Sequence, residues 1–319
     1  MGTLRITLFG KLCLWGRDGQ PLGGFDARKI QELFCYLLLY RDHPYPREVL
    51  ASLLWCECST EQSKKYLRQT LWQLQSTIDR QGGPINGRLL RVEPEWVTLN
   101  SQADLCLDVA VFEQAFAPVQ NTQGHDLNFE KAHMLQRAVK LYQGDLLEGW
   151  YQDWCLYERE RLQNMYLAML DKLMGYCEAH HEYETGIEYG TRILLFDRAR
   201  EHTHRRLMRI HYAAGNRTAA LRQYQRCVVA LDEELAVKPA KQTIALHEQI
   251  CSDRLDSAAV DLFHGTQGPD APPASLPEVL GRLTQLQELL IGIQGAVQHG
   301  IQAIEGALKG RANSDHSDR

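Results

Sequence analysis

Two short pairs along the chain have residue types that bind metals: Cys56-Glu57-Cys58 and His202-Thr203-His204. Zinc asks for four ligands in a workable set. No second pair stands at finger or ribbon spacing, so both read as ordinary structural residues and no metal is expected. His180-His181 reads as the exposed turn of a repeat. The sequence holds no GxxxxGK[ST] phosphate loop, no GxSxG nucleophile elbow and no HExxH pair. Its carboxylates are spread over helix faces, as solvated surface usually is. These residues point to no enzyme and no cofactor.

One helix face is open to a different chemistry. In SKKYLRQTLWQLQSTIDR, Ser63 to Arg80, the residues Leu67, Leu71, Leu74 and Ile78 form a narrow stripe at helical periodicity, the mark of a core-facing side. The opposite side carries Lys65, Gln69, Trp72, Gln73 and Ser76, with Arg68 on its flank. Polar and only modestly basic, this face could be plain solvated surface or a surface that reads a partner. The elements around it have to decide.

Composition sets the bounds. A chain of 319 residues has room for two or three domains and a sizeable core. Hydrophobic residues make up 44% and charged residues 24%, ordinary for a globular protein. A net charge of -5 gives no whole-chain case for nucleic acid, although a local face can still supply a field. The nine cysteines follow no framework spacing. The N-terminus runs straight into strand-like sequence, so no signal peptide is expected. The longest apolar run, Leu33 to Tyr40, is too short to span a bilayer. No membrane association is expected, and a reduced, cytoplasmic compartment is the default.

LRITLFG and KLCLW read as two strands, with GRDGQPLGG supplying turn chemistry. DARKIQELFCYLLLY is a helix with Ile30, Leu33, Phe34, Leu37 and Leu38 inward and Asp26 as N-cap. PREVLASLLW is a short second helix with Pro46 suited to its first turn. Ser59 to Gln62 offers a capping box that launches helix three. RLLRV and WVTLN, separated by Glu93-Pro94-Glu95, read as a closing hairpin. Strands, three helices and a hairpin is the order of a winged helix-turn-helix, with helix three as recognition helix and the hairpin as wing. A small α+β domain without a nucleic-acid role fits the same pattern.

After the turn-rich joint Pro118 to Asn128 the chain is almost wholly helical to Cys251. Lys172 to Leu194 aligns with Arg206 to Val228 at a spacing of roughly 34 residues, the tetratricopeptide period. Leu173 and Met174 match Leu207 and Met208, Gly186 matches Ala220, and Gly215 sits at a turn between helices. Tyr176, Tyr183, Tyr189, Tyr212 and Tyr224 either line a groove for a protein partner or pack between helices. Asp256 to Ser275 is a linker. Beyond it Leu283, Leu290, Val297 and Ile304 fit one heptad position, and Leu286 and Ile293 the other. Gly281, Gly292, Gly295 and Gly300 weaken that helix. It reads as a self-associating coiled coil or as an amphipathic helix docking on the repeats.

With both regions placed, the pairing resembles the bacterial transcriptional activator domain family, including the Streptomyces antibiotic regulatory protein type. LRITLFGKLCL, RKIQELFCYLLLYRDHPYPREVLASLLW and YLRQTLWQLQSTI look like its DNA-binding module, and LDVAVFEQA like its junction. AVKLYQGDLLEGWYQDWCLYERERLQ is similar to the opening of the activator domain, and Glu201 to Ile250 to its closing repeats. The resemblance covers roughly residues 3–251. It implies a mainly α fold: an N-terminal winged helix-turn-helix (α+β, OmpR-like) over 1–110 and a tetratricopeptide-like activator domain over 111–255. A linker over 256–275, a C-terminal amphipathic or coiled-coil helix over 276–310 and a disordered tail over 311–319 lie outside it.

The resemblance implies a transcription regulator that binds double-stranded promoter DNA and contacts RNA polymerase. The base-facing candidates are then Lys65, Arg68, Gln69, Trp72, Gln73 and Ser76. Arg pairs bidentately with guanine, Gln reads adenine and Trp touches a thymine methyl. Arg28, Lys29, Arg47 and Lys64 are the candidates for phosphate contacts. Residues 1–110 carry thirteen Lys and Arg against twelve Asp and Glu, and the hairpin tip is acidic. One module should therefore bind weakly and need a second copy. Leu283, Leu286, Leu290, Ile293, Val297 and Ile304 would supply it by forming a homodimer or higher oligomer. An adaptor with a winged-helix scaffold and little DNA affinity is the competing expectation.

Overall fold

A computed structural model describes residues 3–253, apart from 17, 24, 26, 81–87, 101 and 102. The described residues all fall within one compact unit. The fold is mainly α, with ten α-helices and six short strands among the described residues.

β1 (Leu4–Thr7) alternates, burying Leu4 and Ile6 while exposing Arg5, as a strand with one covered face does. It pairs antiparallel with β2 (Cys13–Trp15), Ile6 opposite Leu14. α1 (Arg28–Leu39) buries Ile30, Leu33, Phe34, Leu37 and Leu38, the stripe read from its periodicity. Ala27 occupies its N-cap position, and Asp26, the expected cap, lies outside the described residues.

β3 (Tyr45–Pro46) leads directly into α2 (Arg47–Leu54). Pro46 is the N-cap of α2, with φ -62° and ψ 135°, one place earlier than the first-turn position expected of it. Its fixed φ suits this extended conformation, and its strand loses no donor that the pairing needs. α3 (Thr60–Arg80) turns Leu67, Leu71, Leu74 and Ile78 into the core. β4 (Leu90–Val92) and β5 (Trp96–Leu99) form the antiparallel hairpin, with Leu90 opposite Leu99 and the Glu93 N–H donating to the Trp96 carbonyl at 2.8 Å. β5 also pairs with β3, Tyr45 opposite Val97. The hairpin is thereby tied to the entrance of α2.

β6 (Leu105–Leu107) is a strand that the sequence pattern did not reveal. It returns to β1 in parallel, Ile6 opposite Leu107, and completes a sheet of order β2-β1-β6. α4 (Asp108–Phe116) follows at once. The Asp108 carboxylate accepts N–H groups from Leu8 at 2.8 Å, Phe9 at 2.9 Å and Val109 at 2.7 Å. A single buried side chain thus holds the end of β1 against the start of α4.

α5 (Phe129–Val139) is capped by Asn128, whose side chain accepts from the Lys131 N–H at 2.9 Å. The segment after it crosses the end of β1: Leu147 N–H donates to the Leu8 carbonyl, and Gly10 N–H to the Asp145 carbonyl, both at 2.8 Å. α6 (Asp153–Ala179), α7 (Tyr183–Phe196), α8 (Glu201–Ala213), α9 (Arg217–Leu235) and α10 (Lys241–Cys251) then pack each on the one before it.

Ala179 ends α6 and Tyr183 starts α7; Ala213 and Arg217, each 34 positions later, end α8 and start α9. Gly186 and Ala220 are both buried at the corresponding close crossing. A Cβ on Gly186 would stand 3.3 Å from Cys177 Cβ, so a small residue there follows from the packing.

Candidate nucleic-acid interface

α3 is long enough, at 21 residues, to extend about 30 Å at its helical rise. Leu67, Leu71 and Leu74 bury one side against α1 and α2, which leaves the other side outward. Lys65, Arg68, Gln69 and Trp72 are exposed, and Gln73 and Ser76 are half-buried farther along. Trp72 is 66% exposed, a large apolar side chain that the core does not account for. Tyr66 is also exposed and lies beside Trp55, ring centroids 6.1 Å apart. Tyr66 belongs to the same outer side, and its aromatic type in the sequence was the signal for it.

The first half of α3, the start of α2 and the hairpin tip enclose a groove of ≈ 510 Å³ lined by Arg47, Lys64, Arg68, Glu48, Glu95 and Trp96, among others. Two of the four phosphate candidates therefore line it. Both have protein partners: Arg47 donates to the Glu93 carbonyl at 3.2 Å, and Lys64 pairs with Glu48 at 2.6 Å. The Lys64 ammonium holds the Glu48 carboxyl below its ordinary range. The Lys64–Glu48 pair is exposed on both sides, so it is worth little and easily exchanged. Glu93 and Glu95 are exposed at the tip.

Arg28 and Lys29 lie on α1 and do not line this groove. Both pair with the buried Glu32, at 3.2 and 2.8 Å, and the Arg28 guanidinium lies 3.9 Å from the centre of the Trp150 ring. Gln152 donates to the same Glu32 at 2.8 Å. Arg28 through Trp150, and Glu32 through Gln152, join α1 to the segment before α6, while Lys29 pairs within α1. Tyr36 meets Trp154 edge-on at 5.6 Å, and Arg41 and Arg161 clamp Glu113 between them. Burial first, then the Glu158 carboxylate, pushes the Tyr40 hydroxyl far above its ordinary range. Sequence reasoning missed this junction because its partners lie as much as 120 residues apart.

Of the helical-region tyrosines, Tyr176 and Tyr189 are buried and Tyr183, Tyr212 and Tyr224 half-buried. Tyr176 stacks on His180 and Tyr224 on His247, at 4.0 and 3.9 Å. Those positions pack between and along helices. His180 and His181 are exposed at the turn after α6. Cys56 is exposed and His204 buried; among the described residues no group of three or more His, Cys, Asp or Glu is placed to hold a metal ion. No helix among the described residues is long and apolar enough to cross a membrane. Leu283, Leu286, Leu290, Ile293, Val297 and Ile304 lie outside the described residues.

Residues 107–251 match the family model of the bacterial transcriptional activator domain, from the end of β6 to the end of α10. Comparison with curated proteins gave no match. Among solved structures the chain is similar to Mycobacterium tuberculosis EmbR in complex with low affinity phosphopeptide, with a TM-score of 0.58 and 19% identity. That alignment covers 80% of this chain and 66% of the other, just under two thirds of its length. At this identity the likeness is one of fold. Residues 107–251 are thus similar to the bacterial transcriptional activator domain, and the rest of the chain lies outside that match.

Proposed function

We propose that the protein is a transcription regulator, an activator, that binds double-stranded promoter DNA through the outer face of α3. The exposed row Lys65, Arg68, Gln69 and Trp72, on a long helix flanked by a β-hairpin, carries this reading. In it residues 1–110 act as a winged helix, α3 enters the major groove and the β4–β5 hairpin is the wing. Arg68 and Gln69 have the donor and acceptor groups for base edges, and Lys64 and Arg47 stand beside them for phosphates. Arg28, engaged with Glu32 and Trp150, is assigned to the junction instead, while Lys29, paired only within its own helix, stays a phosphate candidate. The helical repeats would contact RNA polymerase and regulatory partners. A homodimer, built through the C-terminal heptads, would offset the weak charge of a single module.

A second reading has its own support. Trp72 is 66% exposed, Glu93 and Glu95 face outward at the hairpin tip, and Lys64 is paired with Glu48. Those features suit an adaptor that retains the scaffold and binds protein through α3.

Binding to the DNA upstream of the protein's own gene, measured by fluorescence anisotropy at low and moderate salt, separates the two. The regulator binds with a sequence preference, loses affinity as salt rises, and fails to bind as the Arg68→Ala, Gln69→Ala double variant. Absence of binding by the wild-type protein at low salt would leave the adaptor.

A further inference from the structure

A groove of ≈ 620 Å³ runs between α7 and α9, floored by α8. It is apart from α3 and is lined by none of its residues. From α7, Leu194 and Leu195 face it; from α9, Arg222, Arg226 and Val229 do, at successive turns of one helix side. Arg198, just past α7, closes the rim. Leu195 is 78% exposed and Val229 49%. A leucine this exposed beside a cationic rim is not accounted for by packing within the unit.

The charges say what would cover it. Arg198 is partly balanced by Glu233 at 3.0 Å and Glu234 at 3.8 Å, on exposed and easily exchanged pairs. Arg222 and Arg226 have no ion-pair partner among the described residues. His204 in the floor is buried, and burial lowers its basicity. The groove is therefore a cationic rim around an apolar strip, in a chain whose net charge is -5. Double-stranded nucleic acid would meet the arginines and leave Leu195 and Val229 uncovered in water. An acidic amphipathic helix satisfies both, laying its apolar side on the leucines while its carboxylates take bidentate guanidinium contacts.

We infer that the α7–α9 groove is a docking site for an acidic amphipathic helix of a partner protein. This goes beyond the DNA reading and does not depend on it, because the residues and the ligand are different.

The full chain is titrated into labelled helical peptides of about fourteen residues, or four turns. One carries leucines along one side flanked by glutamates, one has lysines in place of the glutamates, and one has serines in place of the leucines. The acidic leucine peptide is expected to bind saturably and more tightly at low salt, with the other two at least roughly tenfold weaker. Arg222→Glu with Arg226→Glu should lose binding at least roughly tenfold, and Leu195→Ser several-fold, at unchanged thermal unfolding. Promoter DNA binding, run on the same variants, should not move, so failure of either proposal is seen separately. The inference is overturned if no peptide binds, if the three bind alike, or if the arginine variants bind as wild type does. Displacement of the peptide by double-stranded DNA would overturn it too, as would self-association of the wild-type chain that the variants abolish.

Discussion

His181 and Gly215 occupy the same left-handed turn position, 34 residues apart, with φ of 58° and 75°. The next residue in each turn donates its N–H to the carbonyl five places back: Glu182 to Cys177 at 2.9 Å and Asn216 to His211 at 2.8 Å. Two turns separated by a whole helix pair are therefore built from one backbone pattern. The helices around the turns differ in length, 27 and 14 residues for α6 and α7 against 13 and 19 for α8 and α9.

Gly215 adopts its positive φ without steric cost, whereas any Cβ there is strained. Gly215→Ala should destabilise by about 1–2 kcal/mol. Thermal unfolding followed by circular dichroism should show a fall of a few degrees. His181→Gly should be close to neutral. It relieves the same strain but loses the ring contact to the Tyr183 hydroxyl at 2.7 Å and loosens the unfolded chain.

Arg206 ties α8 to α6. The residue is 8% exposed, and its guanidinium reaches Glu178 at 2.6 Å and both the carboxylate and carbonyl of Asp171 at 2.9 and 3.0 Å. Arg206→Ala leaves the Asp171 and Glu178 carboxylates without the guanidinium they share. The carboxylates are partly exposed, so the cost should fall near the lower end of the usual range, about 3 kcal/mol. Denaturant unfolding measures it, and Glu178→Gln should cost clearly less.

His204 makes stability depend on acidity. Burial lowers its basicity, while hydrogen bonds to the Arg198 carbonyl and to Gln223, both at 2.8 Å, act in the opposite direction. The unfolded chain therefore binds a proton that the folded chain resists. Stability is present above the unfolded histidine value, about 6.5, and is lost as pH falls from there. His202 and His211, also lowered by burial, act in the same sense. His204→Gln should flatten the loss of unfolding free energy between about pH 6.5 and 5, as read from denaturant curves at each pH.

Asp108 accepts three backbone N–H groups from a buried position. Asp108→Ala would leave those donors without their acceptor and should cost roughly 3 kcal/mol. Hydrogen exchange should rise first at Leu8 and Phe9, where β1 ends.

Trp72 is exposed enough for its removal to leave the fold alone. Trp72→Ala should change unfolding free energy by no more than about 0.5 kcal/mol. If α3 reads DNA as proposed, the same variant should bind promoter DNA about fivefold or more weakly, in line with the cost of a lost base contact. Anisotropy titrations of the two proteins at one salt concentration compare them.

The helical stripes of α1 and α3, the β4–β5 hairpin and the 34-residue spacing of the helix turns were all legible in the sequence. Each is a local pattern, set by side-chain periodicity or turn residues within one or two elements. The outward row on α3 was legible for the same reason, since burying Leu67, Leu71 and Leu74 leaves the opposite side no choice. Tertiary structure decided the rest. Whether Arg28 meets a phosphate or the Trp150 ring depends on where a segment more than a hundred residues later comes to lie. β6 has too few residues to announce itself, and becomes a strand because β1 offers it hydrogen-bonding groups. The arginine-rimmed groove likewise exists only once α7 and α9 stand side by side, because chain periodicity shows each helix face but not which face it will meet.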